Sequence, residues 1–121
     1  MVKVLIVDDS ITQRQLMSSV LEQFGLTVLV ATDGVEAWEQ IQRVHPDIVV
    51  LDIIMPRMNG YEVCRKIKTD PNLQSLPVVM CSSKTEEFDR YWGMKQGADA
   101  YLAKPFQPKE LLSTIQKLLK G

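Results

Sequence analysis

Nothing constrains this chain more than the stretch Asp47-Ile48-Val49-Val50-Leu51-Asp52-Ile53-Ile54-Met55-Pro56. Its middle is an unbroken apolar run, too short for a typical helix and rich in β-branched residues, which predicts a strand buried on both faces. That strand, Ile48 to Asp52, stops on a carboxylate, and Pro56 ends regular pairing soon after. An acid at the C-terminal end of a buried parallel strand stands where open α/β sheets place their ligands. A lone acid there is equally well a turn residue, so the rest of the chain has to decide.

The same pattern recurs along the chain. Val2 to Val7 is a first buried strand ending on Asp8-Asp9, and after Ser10 the residues Ile11, Leu16, Met17, Val20, Leu21 and Phe24 recur at helical spacing up to a capping Gly25. Thr27 to Ala31 reads as a second strand, Asp33-Gly34 as a turn, and Val35 to Val44 as a helix carrying Ala37, Trp38 and Ile41. His45-Pro46 ends that helix, where a histidine suits the dipole. Beyond the central strand, Asn59-Gly60 turns the chain into a helix over Tyr61 to Lys68 with Val63 and Ile67 inward. Val78 to Cys81 is a strand ending on Ser82-Ser83, Glu86 to Gln96 a helix capped by Gly97, and Ala98 to Ala103 a last strand ending on Lys104-Pro105. Pro108 opens a final helix at a position that tolerates proline, with Leu111, Leu112, Ile115, Leu118 and Leu119 apolar.

Alternating strands and helices predict an α/β fold, a doubly wound parallel sheet with helices on both faces. The 121 residues suit one domain, 1–121, with enough chain for a real core. A net charge of −1 and the lack of a basic run argue against nucleic acid or membrane as a partner. No apolar stretch is long enough to span a bilayer, and the chain opens on a strand pattern with no signal peptide visible. Cys64 and Cys81 lack CxxC spacing, which reads as reduced thiols in the cytoplasm, and a single His45 gives no support to a zinc site.

In a parallel sheet every strand C-terminus points to one edge, so Asp8, Asp9, Asp52, Ser82 and Lys104 become neighbours by topology. Taken singly, Asp8-Asp9 could cap a helix, Ser82 could do the same, and Lys104 could be a solvated charge. Together they are the parts of a phosphoryl-transfer site. Crowded carboxylates repel and raise one another's pKa, and a divalent cation removes that cost. An all-oxygen set selects Mg²⁺, or Mn²⁺, over softer metals. Lys104 adds a point charge and Ser82 a donor, while a central carboxylate can itself be the nucleophile.

From end to end the chain resembles the receiver domain of bacterial two-component response regulators, of the chemotaxis-regulator type. The resemblance rests on Leu5-Ile6-Val7-Asp8-Asp9-Ser10, Leu51-Asp52-Ile53-Ile54-Met55-Pro56-Arg57-Met58-Asn59-Gly60, Pro77-Val78-Val79-Met80-Cys81-Ser82-Ser83 and Tyr101-Leu102-Ala103-Lys104-Pro105-Phe106. It implies a five-stranded flavodoxin-like sheet of order 2-1-3-4-5. It implies that Asp52 accepts phosphoryl from a histidine kinase or phosphotransfer domain, and that the chain is a phosphoacceptor rather than a separate enzyme. Asp9 would ligate Mg²⁺ directly, Asp8 largely through water, and Asp52 and the Ile54 backbone carbonyl would complete the protein ligands, with no organic cofactor. Ser82 would be the switch hydroxyl and Tyr101 the switch aromatic, moving into space that Ser82 vacates. Lys104 would bind phosphoryl oxygens, aimed by a cis Lys104-Pro105 bond.

The stretch 89–97, Asp89-Arg90-Tyr91-Trp92-Gly93-Met94-Lys95-Gln96-Gly97, is similar to single-domain regulators of pilus-type chemotaxis systems. Tyr91 and Trp92 suit either core or partner surface. The output partner would dock on the helix from Glu86 to Gln96, the Tyr101 strand and the last helix. A monomer is expected, with a phosphorylation-dependent dimer as the alternative. The side chains flanking in-line attack by water are Ile54 and Lys84, two beyond the acceptor and two beyond the hydroxyl. Neither offers an acceptor to orient that water, so a slow loss of phosphoryl is expected. The alternatives are an aspartyl-phosphate hydrolase, a flavin-binding module, a phosphorylation-independent scaffold, and a receiver excised from a multidomain regulator. The hydrolase is disfavoured because no second acid stands two beyond Asp52 or Asp8. The flavin module is disfavoured because Asp8-Asp9 would repel a phosphate.

Overall fold

Successive side chains of a strand leave the sheet on opposite faces, and the apolar runs here supply both. The computed structural model describes residues 1–83 and 87–120. The elements are β1 (Lys3–Val7), α1 (Ile11–Gln23), β2 (Thr27–Ala31), α2 (Gly34–Val44), β3 (Ile48–Asp52), α3 (Gly60–Thr69), β4 (Val78–Ser82), α4 (Glu87–Lys95), β5 (Ala100–Ala103) and α5 (Pro108–Lys120). The strands form one parallel sheet in the order β2-β1-β3-β4-β5, as the resemblance implied. Strand order reverses between β1 and β3, and Asp8, Asp9 and Asp52 stand at their adjacent C-terminal ends.

One face of the sheet, with Leu5, Val7, Val49, Leu51, Val78 and Met80, packs against Ala37 and Ile41 of α2 and Val63, Cys64 and Ile67 of α3. The other, with Val4, Ile6, Ile48, Val50, Val79 and Cys81, packs against Met17 and Leu21 of α1 and Leu111, Leu112 and Ile115 of α5. The apolar spacing of the first helix promises a broader buried face than it delivers: Ile11, Leu16 and Phe24 are exposed. The sheet and α5 cover a narrow stripe of α1, and side chains off that stripe stay largely in solvent.

Caps set where the helices start. Ser10 caps α1 and Asp33 caps α2 through its bond from the Glu36 N–H, while Asn59 and Glu62 form a reciprocal capping box on α3. His45 ends α2 in the left-handed region, φ 55°, so its role is a backbone one. Two glycines allow close approaches beside the strand ends: a Cβ on Gly60 would strike the Asp52 carbonyl, and one on Gly34 the Met58 carbonyl. The last strand begins at Ala100, later than the apolar pattern suggests, because Gly97 (φ 101°) and Asp99 are still turning the chain. Cys64 and Cys81 are buried and unbridged, and burial pushes their thiols up to about 11 and about 12. Among the described residues no helix is long and apolar enough to cross a membrane.

Candidate functional site

Each strand delivers its terminal residue to the same edge, and the side chains meet there. Carboxylate oxygens of Asp8, Asp9 and Asp52 all lie within 4.8 Å of one another. Asp8 is buried and fully engaged: one oxygen accepts from the Ser10 N–H (2.9 Å) and the other from Lys104 Nζ (2.8 Å). Lys104 Nζ also stands 3.5 Å from Asp52 Oδ2, so one ammonium ties the ends of β1, β3 and β5 together. Asp9 is exposed and Asp52 half-buried. The donor set is all oxygen with one open flank, which fits a hard divalent cation better than a soft one.

The electrostatics follow from that crowding. Burial pushes the Asp52 carboxyl above its ordinary value, Lys104 opposes the rise, and the charges of Asp8 and Asp9 add to it. Burial therefore outweighs the mutual repulsion that the strand-end pattern alone suggests. Lys104 pays the desolvation cost of its position, yet its bond to Asp8 and the charges of Asp52 and Asp8 leave it more basic than a free lysine. Such a group stays protonated at neutral pH and can hold a second anion.

The remaining residues singled out in the sequence divide into three cases. Ser82 is fully buried at the end of β4, and its carbonyl accepts the Lys104 N–H at 2.8 Å. The Lys104–Pro105 peptide is cis. Ile54 sits beside Asp52 with its side chain 56% exposed, while Lys84 lies outside the described residues. Tyr101 of β5 is buried, 7% exposed. The Arg90 guanidinium lies 5.2 Å from the ring centroid. Gly93 of α4 leaves room for the ring, since an added Cβ would lie 3.1 Å from both Tyr101 Cδ2 and Met80 Sδ.

Two features escape the sequence. Arg14 reaches back from α1 to donate to the Asp8 carbonyl (2.7 Å), and only its position one turn beyond Asp8-Asp9-Ser10 hints at this. Arg57 grips Asp33 with Nε and Nη2, at 2.9–3.1 Å. Nothing in the linear order joins these two, because Asp33 reads as an ordinary turn residue before glycine.

Residues 4–116 match the response regulator receiver domain. The chain is 43% identical over 114 residues to protein PilG of Pseudomonas aeruginosa, covering 94% of this chain and 84% of that one. It is 38% identical to protein PilH of the same organism over 121 residues, the full length of both. The fold overlays the high-resolution structure of Vibrio cholerae chemotaxis protein CheY4 with a TM-score of 0.91 at 36% identity, over 98% of each chain. With that breadth of match and the strand-end acids in place, the chain belongs to the response regulator receiver domain family of two-component systems.

Proposed function

We propose that this chain is a phosphorylation-controlled switch in which Asp52 is the acceptor. The observation that carries this reading is the convergence of three carboxylates within 4.8 Å around Asp52, with Lys104 bridging two of them. A carboxylate oxygen of Asp52 would attack the phosphorus of a phosphohistidine on a kinase or phosphotransfer domain. The P–N bond breaks as the acyl phosphate forms, and the released imidazole keeps the electron pair and takes a proton. Lys104 is positioned to hold the added negative charge. Asp9, Asp52 and the Ile54 backbone carbonyl would hold Mg²⁺, with Asp8 behind them through water. The bound cation supplies charge neutralisation, which the all-oxygen set and the raised Asp52 carboxyl both call for.

Ser82 and Tyr101 would carry the signal. A phosphoryl group on Asp52 would give the buried Ser82 hydroxyl a strong acceptor to turn toward, and the Tyr101 ring would occupy the space that the hydroxyl leaves. The face formed by α4, β5 and α5 would then change its affinity for an output partner. The likeness to the Vibrio cholerae chemotaxis protein, to PilG and PilH, and the 89–97 stretch support a chemotaxis or pilus-type motility pathway. In this reading residues 1–121 would act as one monomeric receiver in the cytoplasm. The test is labelling by acetyl phosphate. Native protein should incorporate phosphoryl in Mg²⁺ and stop in chelator, and Asp52→Asn should incorporate none. Undiminished labelling of Asp52→Asn moves the acceptor elsewhere.

A further inference from the structure

The loop between β3 and α3 contains a backbone conformation that its sequence does not favour. Arg57 has φ 68°, and the Met58 N–H donates to the Pro56 carbonyl across it at 2.8 Å. This is a three-residue turn with a positive central φ, a rare and strained form. Glycine would adopt it freely. An arginine there keeps the strain, so the position is using its side chain. That side chain is spent on Asp33: Nε donates to Oδ2 at 3.0 Å, and Nη2 donates to Oδ2 at 2.9 Å and Oδ1 at 3.1 Å. Asp33 is itself fixed, since Oδ1 also accepts the Glu36 N–H at 2.9 Å as the cap of α2. Beside the pair, the bare Gly34 lets the first turn of α2 rest on the Met58 carbonyl. The strained turn is therefore clamped onto α2 by a fork of hydrogen bonds and a backbone contact.

What lies between the clamp and the acceptor gives this a purpose. The Ile53 carbonyl accepts the Gly60 N–H at 2.9 Å and the Ile53 N–H donates to the Cys81 carbonyl at 3.3 Å. Met55 is buried. Ile54 lies between these pins with its side chain in solvent, and among the described residues neither its N–H nor its carbonyl has a hydrogen-bond partner, so its peptide takes its orientation from the neighbours on each side. We infer that the Arg57–Asp33 pair is a positioning clamp, which holds the Ile54 peptide where its carbonyl can serve a divalent cation beside Asp52. This rests on the site reading proposed above and adds residues outside the acid cluster to it. Neither residue touches the cation or the phosphoryl group.

The test measures Mg²⁺ affinity of the unphosphorylated protein by isothermal titration calorimetry with MgCl₂, at fixed ionic strength. Arg57→Gly removes the side chain and relieves the strain, and Asp33→Asn keeps a good helix cap while losing the charge pair, so both should fold. The clamp predicts about three- to tenfold weaker Mg²⁺ binding in each, with the double variant no weaker than either single one, since both cut one link. Simple field effects predict otherwise: removing a cation should tighten Mg²⁺ binding, and removing an anion should weaken it. Opposite shifts in the two variants, additive losses, or native affinity in both would overturn the clamp while native binding stands. A native protein that gives no Mg²⁺ binding heat would overturn the site reading itself, and the clamp with it.

Discussion

Asp52 is held in a place that suits reaction better than folding. Its carboxyl is raised above the ordinary value near 3.8 by burial and by the charges of Asp8 and Asp9, so ionising it costs the native state. The sign follows from linkage. A carboxyl with a raised folded pKa binds protons more tightly when folded, so stability falls as pH climbs from the unfolded to the folded value. Asp52→Asn should therefore melt at a higher temperature than native protein at pH 7 in chelator. The advantage should fade as the pH falls below the unfolded value near 3.8, where Asp52 is neutral in both states. Thermal melts at neutral and acid pH decide this, and a variant less stable than native at pH 7 would refute the strain. Ile54 makes a second prediction at this scale. Its exposed branched side chain stands beside the acceptor and can neither orient a water nor take its proton. Ile54→Asn should shorten the life of the phosphoryl group, by roughly tenfold if the amide assists as a positioned polar group. The decay of labelled protein after donor removal is the readout, and equal decay would dismiss the role of Ile54.

Among the elements, the loop from β3 to α3 and the first turn of α2 are joined by the Arg57–Asp33 fork and by the close approach of Gly34 to Met58. Gly34 is needed for space, because any Cβ would meet the Met58 backbone, which cannot swing away as a side chain would. Gly25 is needed only for its φ of 82°, with open space around it. The two glycines should respond differently to substitution. Gly34→Ala and Gly34→Asn should both lose about 1–3 kcal/mol to overpacking. Gly25→Ala should lose about 1–2 kcal/mol, and Gly25→Asn less, because asparagine tolerates the left-handed region. Denaturant melts of the four variants separate steric from conformational need. Equal losses for Gly25→Ala and Gly25→Asn would mean that the turn demands more than a positive φ.

At the scale of the whole molecule, the described residues of α4 turn most of their large side chains outward. Gly93 is buried, whereas Tyr91, Trp92 and Met94 are 58%, 43% and 45% exposed. Their helical spacing suited either core or surface, and the structure puts them outside. Trp38 contrasts with them: it packs against the core below α2, with Lys66 Nζ 5.2 Å from its ring centroid. Trp92→Ala should therefore change stability by less than about 0.5 kcal/mol. Trp38→Ala should cost clearly more, because it empties packed volume. A comparison of unfolding midpoints tests this, and a large loss at Trp92 would mean that α4 is seated more deeply than its exposure indicates.

The order of elements, the parallel sheet and the acids at its edge could be read from the chain alone, because each depends on local information. A run such as Ile48–Asp52 reports its burial by its composition, and a parallel sheet must bring the strand ends Asp8, Asp52, Ser82 and Lys104 to one side. Other features depend on side-chain contacts between distant residues, and no periodicity encodes them. The bond between Lys104 and Asp8 spans 96 positions, and the Arg57–Asp33 fork spans 24. The inward Tyr101 depends on a glycine in another element, and the bare flank of α1 on what α5 leaves uncovered. Strand polarity carries the acids to the site, but packing decides which oxygen faces which cation and which ring has room to turn inward.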